Sequence, residues 1–92
     1  MVTVKCTITV GGATLRPVEV RSSMWNPDDP DDGEIAARIL AREAMESGVP
    51  VGDEDEEADV LIETAAGARW RVRVALGWER TFTAGEANAV QN

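Results

Sequence analysis

Between Val2 and Val10 apolar and polar positions alternate without a break. Val2, Val4, Cys6, Ile8 and Val10 fall on one side, and Thr3, Lys5, Thr7 and Thr9 on the other. A period of two is the mark of a strand buried on one face. Gly11-Gly12 follows and supplies the positive φ angles of a two-residue hairpin turn, pairing Val10 with Ala13 and Ile8 with Leu15. Continued past Arg16, that register sets Val4 against Glu19 and Lys5 against Val18. One extra residue near Pro17 restores Cys6 with Val18, Lys5 with Glu19 and Val4 with Val20. The spacing therefore predicts a bulge there, at a residue that sheets tolerate at bulges and edges.

After a loop over Ser22–Gly33, rich in Asn, Pro and Asp, the period lengthens to that of a helix of about five turns closing near Ser47. Asp29 reads as its N-cap and Pro30 as its first residue. Asp31, Asp32 and Glu34 occupy the first turn, where the helix dipole favours negative charge, and Gly48 and Pro50 stop the helix. Ile35, Ala36, Ile39, Leu40 and Ala44 form the predicted apolar stripe, with Glu34/Arg38 and Arg42/Glu46 as i,i+4 pairs on the wet side.

A polar stretch, Val51–Asp59, leads to a second hairpin, Val60–Thr64 and Ala68–Leu76. A three-residue loop Ala65-Ala66-Gly67, with Gly67 left-handed, sets Glu63 opposite Arg69, Asp59 opposite Arg73, Ile62 opposite Trp70 and Val60 opposite Val72. A two-residue loop would oppose Ile62 to Arg71 and Glu63 to Trp70, so the longer loop is preferred. Gly77 is expected to kink the chain, Trp78–Thr83 offers a fifth strand, and 84–92 is expected to fray. The fold class is α+β, ordered hairpin–helix–hairpin (ββαββ plus the optional fifth strand), with one helix on one face of a mostly antiparallel sheet. Residues 1–92 are too few for two cores and read as a single domain with acidic loops at 26–34 and 51–59.

This element order, with the Gly48-Val49-Pro50 exit from the helix where ubiquitin-like chains often carry Gly-Ile-Pro, resembles the ubiquitin-like β-grasp. The chain ends Ala89-Val90-Gln91-Asn92 and lacks the Gly-Gly that conjugation requires, so the resemblance implies an interaction module and no conjugation.

Candidate chemistry is sparse. With no His and no Tyr, the usual general base is missing and nucleophile–His pairs cannot be built. Cys6 shares the strand face of Val4 and Ile8 and reads as a small buried hydrophobe. Catalysis is not expected, nor is a cofactor. The acids at Asp28–Gly33 fit a calcium loop only with Pro30 and Ile39 at ligand positions, and Asp53, Asp55 and Glu57 lack the turn glycine, so no metal site is expected. No run approaches the ~20 apolar residues of a membrane span, and Met1–Val10 alternates where a signal peptide would be continuously apolar. A cytoplasmic protein is expected.

Charge changes the picture most. Seventeen acids against nine bases give −8, which disfavours nucleic acid, anionic lipid and acidic partners. Eleven of the acids lie in two segments: Asp28, Asp29, Asp31, Asp32 and Glu34, then Asp53, Glu54, Asp55, Glu56, Glu57 and Asp59. They flank the two ends of the helix, about 25 Å apart, a spacing like that of phosphate rows across a duplex groove. Capping accounts for part of the first cluster, and a solvated linker is the plain alternative for the second. The functional expectation is a decoy whose carboxylates stand in for phosphates and occupy a basic, nucleic-acid-binding surface of a partner protein. In size, acidity and lack of catalytic residues the chain resembles small phage-encoded inhibitors such as anti-CRISPR proteins. Trp25, Trp78 and Arg71 are candidate partner contacts, Arg71 because Glu63 and Asp59 pair with its neighbours Arg69 and Arg73. The alternative is a ubiquitin-like adaptor that uses a sheet face and Trp78, its acids serving solubility.

Overall fold

The alternating N-terminal segment is strand β1 (Val2–Val10), placed inside a single antiparallel sheet. The computed structural model describes residues 2–10, 12–15, 17–48, 57–77 and 82–90. On one side β1 pairs with β2 (Ala13–Thr14) and β3 (Val18–Ser22), two parts of one returning strand interrupted around Pro17. On the other side follow β4 (Glu57–Thr64), β5 (Arg69–Leu76) and β6 (Phe82–Ala89). Every neighbouring pair is antiparallel. Helix α1 (Gly33–Gly48) joins β3 to β4. Both of these strands oppose β1 and flank it, so the helix carries the chain across β1. The protein is a small α+β domain, one helix packed against a six-strand antiparallel sheet.

Both hairpin registers follow the side-chain pairing. Val10 faces Ala13, and Leu15 N–H donates to Ile8 O at 2.8 Å. Beyond Pro17 the partners are Cys6–Val18, Lys5–Glu19 and Val4–Val20. The extra residue thus keeps apolar against apolar and charge against charge. In the second hairpin Asp59 faces Arg73, Val60 faces Val72, Ile62 faces Trp70 and Glu63 faces Arg69. Gly67 turns the chain at φ 99°, a region that L side chains rarely adopt.

The helix-side face of the sheet is a set of apolar rows running across the strands: Val18, Cys6, Ile62 and Trp70; Ile8, Val60, Val72 and Ala87; Val10, Ala58, Val74 and Ala84. Burying each branched side chain in these rows contributes about 1.5–3 kcal/mol. α1 closes the core with Ala36, Ala37, Leu40, Ala41, Ala44 and Met45, all fully buried.

That contact surface corrects the predicted stripe. Ala36, Leu40 and Ala44 are buried as expected, but Ile35 is 48% exposed and Ile39 only half-buried, while Ala37, Ala41 and Met45 take their place. An apolar residue lies on both flanks of the 36/40/44 spine, and periodicity cannot choose between them. The alanine flank lets helix and sheet approach more closely, so the isoleucine flank is turned outwards. Of the two predicted pairs, Arg42–Glu46 forms at 3.9 Å, whereas Arg38 donates to Ala84 O at 3.4 Å instead of meeting Glu34.

The C-terminal expectation is corrected as well. The fifth strand expected over Trp78–Thr83 is described only from Phe82 onwards, and 84–89, expected to fray, continues it as β6. Ala, Gly, Glu and Asn are poor strand formers, and the buried residues Phe82, Ala84 and Ala87 break strict alternation. A register shift opposite Val72–Val74 explains the break. Shelter beneath the helix and the unpaired side of β5 outweigh propensity here.

Candidate functional site

The loop that leads into α1 is locked from both ends. Ser22 Oγ accepts from Trp25 N–H at 2.8 Å, and Asn26 Oδ1 accepts from Asp28 N–H at 3.0 Å. Asp29 closes the turn that precedes α1: its Oδ1 accepts from the N–H groups of Asp31 at 2.8 Å and Asp32 at 3.3 Å, and its carbonyl accepts from Gly33 N–H at 2.9 Å. The helix begins at Gly33 and not at Pro30 as expected, so Asp29 caps an Asx turn leading into the helix and Asp31 and Asp32 precede its first turn.

A clasp then ties this loop to the β4–β5 hairpin. Pro27 is fully buried, and its carbonyl accepts from the Trp70 indole N–H at 3.1 Å. Asp28 Oδ1 accepts from Thr64 Oγ1 at 2.8 Å, and the same hydroxyl accepts from Ala68 N–H at 3.0 Å. Gly33 permits the close approach, since a Cβ there would stand 2.7 Å from Pro27 O and 3.2 Å from Trp70 Cζ2.

Two acids of the first cluster, Asp28 and Asp29, are therefore used in building the loop. Asp31, Asp32 and Glu34 are exposed on its outer side and make no ion pair among the described residues. Asp31 and Glu34 border a hollow of about 460 Å³ between the loop and the hairpin turn, which Arg69 and Val90 also line.

The second cluster is divided. Asp53, Glu54, Asp55 and Glu56 lie outside the described residues, as does Trp78. Glu57 and Asp59 open β4 and both meet Arg73, each at 3.6 Å, on the sheet face that the helix leaves uncovered. That face is charge-ordered. Glu19, Lys5, Glu63 and Arg69 alternate in sign along one row, with Arg69–Glu63 at 3.8 Å. The row of Arg71 holds Thr7, Leu61 and Asn88 and no acid, and Arg71 makes no ion pair among the described residues, with Asp59 and Glu86 in the neighbouring rows. Trp25 is half-buried at the foot of the acidic loop, next to the 80%-exposed Met24.

Cys6 is buried in the core, where desolvation and then the nearby Glu43 carboxylate push its thiol up from 9.0 to about 12. Among the described residues no three acidic or thiol side chains converge as metal ligands, and no helix is long and apolar enough to cross a membrane. The clasp residues Pro27, Thr64 and Trp70 escape sequence reasoning because their partners are 36–43 positions away. Gly33 alone leaves a trace, as an isolated glycine inside a helical pattern. Comparison with protein-family models, with curated proteins and with solved structures returns no match.

Proposed function

We propose that the chain is a non-enzymatic acidic binding module whose partner presents a basic protein surface, of the kind that ordinarily holds nucleic acid. The observation that carries this is the division of labour in the 26–34 loop. Asp28 and Asp29 hold the loop in shape, and Asp31, Asp32 and Glu34 stand exposed on it with no ion pair among the described residues. Carboxylates held in place by a clasp lose little conformational freedom on meeting guanidinium groups, and their charge steers encounter with a basic surface. In such a role the protein is an inhibitor or decoy in the cytoplasm, as a phage-encoded anti-CRISPR or other anti-defence protein would be.

The uncovered sheet face favours a second reading, an adaptor that binds through that face around Leu61 and Arg71, with the acids serving solubility. Salt separates the two. Partner capture at low and high ionic strength, by the wild type and by an Asp31→Asn/Asp32→Asn/Glu34→Gln variant, should give salt-sensitive capture that the variant loses. Capture indifferent to salt and to the three substitutions, but lost in Arg71→Glu, belongs to the sheet face.

A further inference from the structure

The outer flank of α1 is left over from the core. Ile35 and Ile39, one turn apart, line an open groove of about 520 Å³ with Phe82, Thr83 and Ala84 of β6, and Arg38 and Arg42, also one turn apart, form its rim. The charge on that rim is available. Arg38 meets no carboxylate among the described residues, and the Arg42–Glu46 pair, at 3.9 Å with both side chains more than half exposed, is weak. β6 closes the sheet on this side, pairing with β5 alone among the described strands, so its outer edge is a template for another strand. Arg38 donates to the Ala84 carbonyl of β6 at a long 3.4 Å, a bond that an incoming carboxylate can replace.

We infer that this groove receives an extended, acidic segment of a partner protein, added as a strand to β6. One apolar side chain seats against Ile35, Ile39 and Phe82, and carboxylates two residues to either side, on the same face of the added strand, meet Arg38 and Arg42. Main-chain bonds to the edge give such additions affinity, and alternate side chains give them selectivity. The charge of the rim chooses the occupant: two neighbouring guanidiniums select an acidic segment and reject a basic one. A second copy of this chain suits the groove poorly. The apolar side chains of its own β6, Phe82, Ala84 and Ala87, are already buried, and a two-fold contact would bring one basic rim to another. The site is separate from the acidic loop.

The test uses the intact protein and a fluorescein-labelled seven-residue peptide, Thr-Glu-Thr-Val-Thr-Glu-Thr, whose valine and two glutamates share one face of a strand, read by fluorescence polarisation. Saturable binding is expected, weakened about tenfold or more by Arg38→Glu/Arg42→Glu and by Ile35→Asp, and unchanged by Asp31→Asn/Asp32→Asn. These positions are exposed, and matching circular dichroism and melting curves verify that each variant is folded. The same peptide with lysine in place of both glutamates should not bind, and N-methylation of alternate peptide amides should abolish binding by blocking the ladder. Equal binding of the lysine peptide, indifference to the arginine reversals, or full binding of the N-methylated peptide overturns the inference. So does a concentration-dependent dimer in sedimentation that Ile35→Asp dissolves, because the groove then belongs to a second copy.

Discussion

Replacing Gly33 by alanine should reverse the usual sign of a glycine-to-alanine change in a helix. In an open helical position the substitution stabilises by about 1 kcal/mol, because alanine loses less backbone entropy on folding. At Gly33 the new methyl would stand 2.7 Å from Pro27 O and 3.2 Å from Trp70 Cζ2. A backbone carbonyl on a buried proline has little room to yield, and overpacking of this kind costs about 1–3 kcal/mol. The carbonyl is also the acceptor for Trp70 Nε1–H, so moving it weakens a part-buried hydrogen bond, a further loss of about 1–3 kcal/mol if that donor is left without a partner. The net effect is a destabilisation of about 2 kcal/mol, or a fall in Tm of about 10 °C for a domain of this size. Urea denaturation should show a lower midpoint at unchanged slope. Because the penalty is shared with Trp70, Gly33→Ala and Trp70→Phe should combine less than additively. A Gly33→Ala protein as stable as the wild type, or more stable, would refute the clasp.

Three further expectations follow from the same geometry. Thr64→Val should destabilise by about 1–2 kcal/mol, since it strips partners from Asp28 and from Ala68 N–H, while Thr64→Ser, which keeps the hydroxyl, should cost less; denaturant midpoints decide. Native Cys6 should be inert to a thiol-specific reagent at neutral pH and react only on unfolding. Its folded state retains the proton between 9.0 and about 12, so its contribution to stability is complete below pH 9.0 and lost as the pH climbs through that interval; Cys6→Ala should show a shallower alkaline decline. Ala41→Leu should cost about 1–3 kcal/mol by overpacking the helix–sheet contact, whereas Ile35→Ala, at a half-exposed position, should cost less; the reverse order in thermal melts would contradict the observed helix orientation.

Registers were legible wherever side chains disagreed about the alternatives. The bulge at Pro17 and the loop at 65–67 each follow from refusing to place a charge against an apolar residue. The orientation of α1 was not legible, because Ile35/Ile39 and Ala37/Ala41 are equally apolar in pattern and only the closeness of packing distinguishes them. β6 was hidden for a related reason: its buried positions are mostly alanines, and its period slips at Gly85–Glu86. In the candidate site, the local bonds of Asp29 were visible from sequence, as they are a matter of neighbours, but the helix starts later, at Gly33. The bonds from Thr64 to Asp28 and from Trp70 to Pro27 were invisible, since they depend on where the second hairpin lands. Those bonds decide which acids hold the loop and which remain available, and no count of charges could supply that division.

The most direct measurement is capture of a basic partner by the folded domain with Asp31, Asp32 and Glu34 neutralised together, alongside a control in which Asp53–Glu57 are neutralised instead. Loss of a salt-sensitive partner from the first variant, with circular dichroism showing it folded at the assay temperature, is the predicted result. Retention of every partner by that variant would contradict the proposed role of the acidic loop.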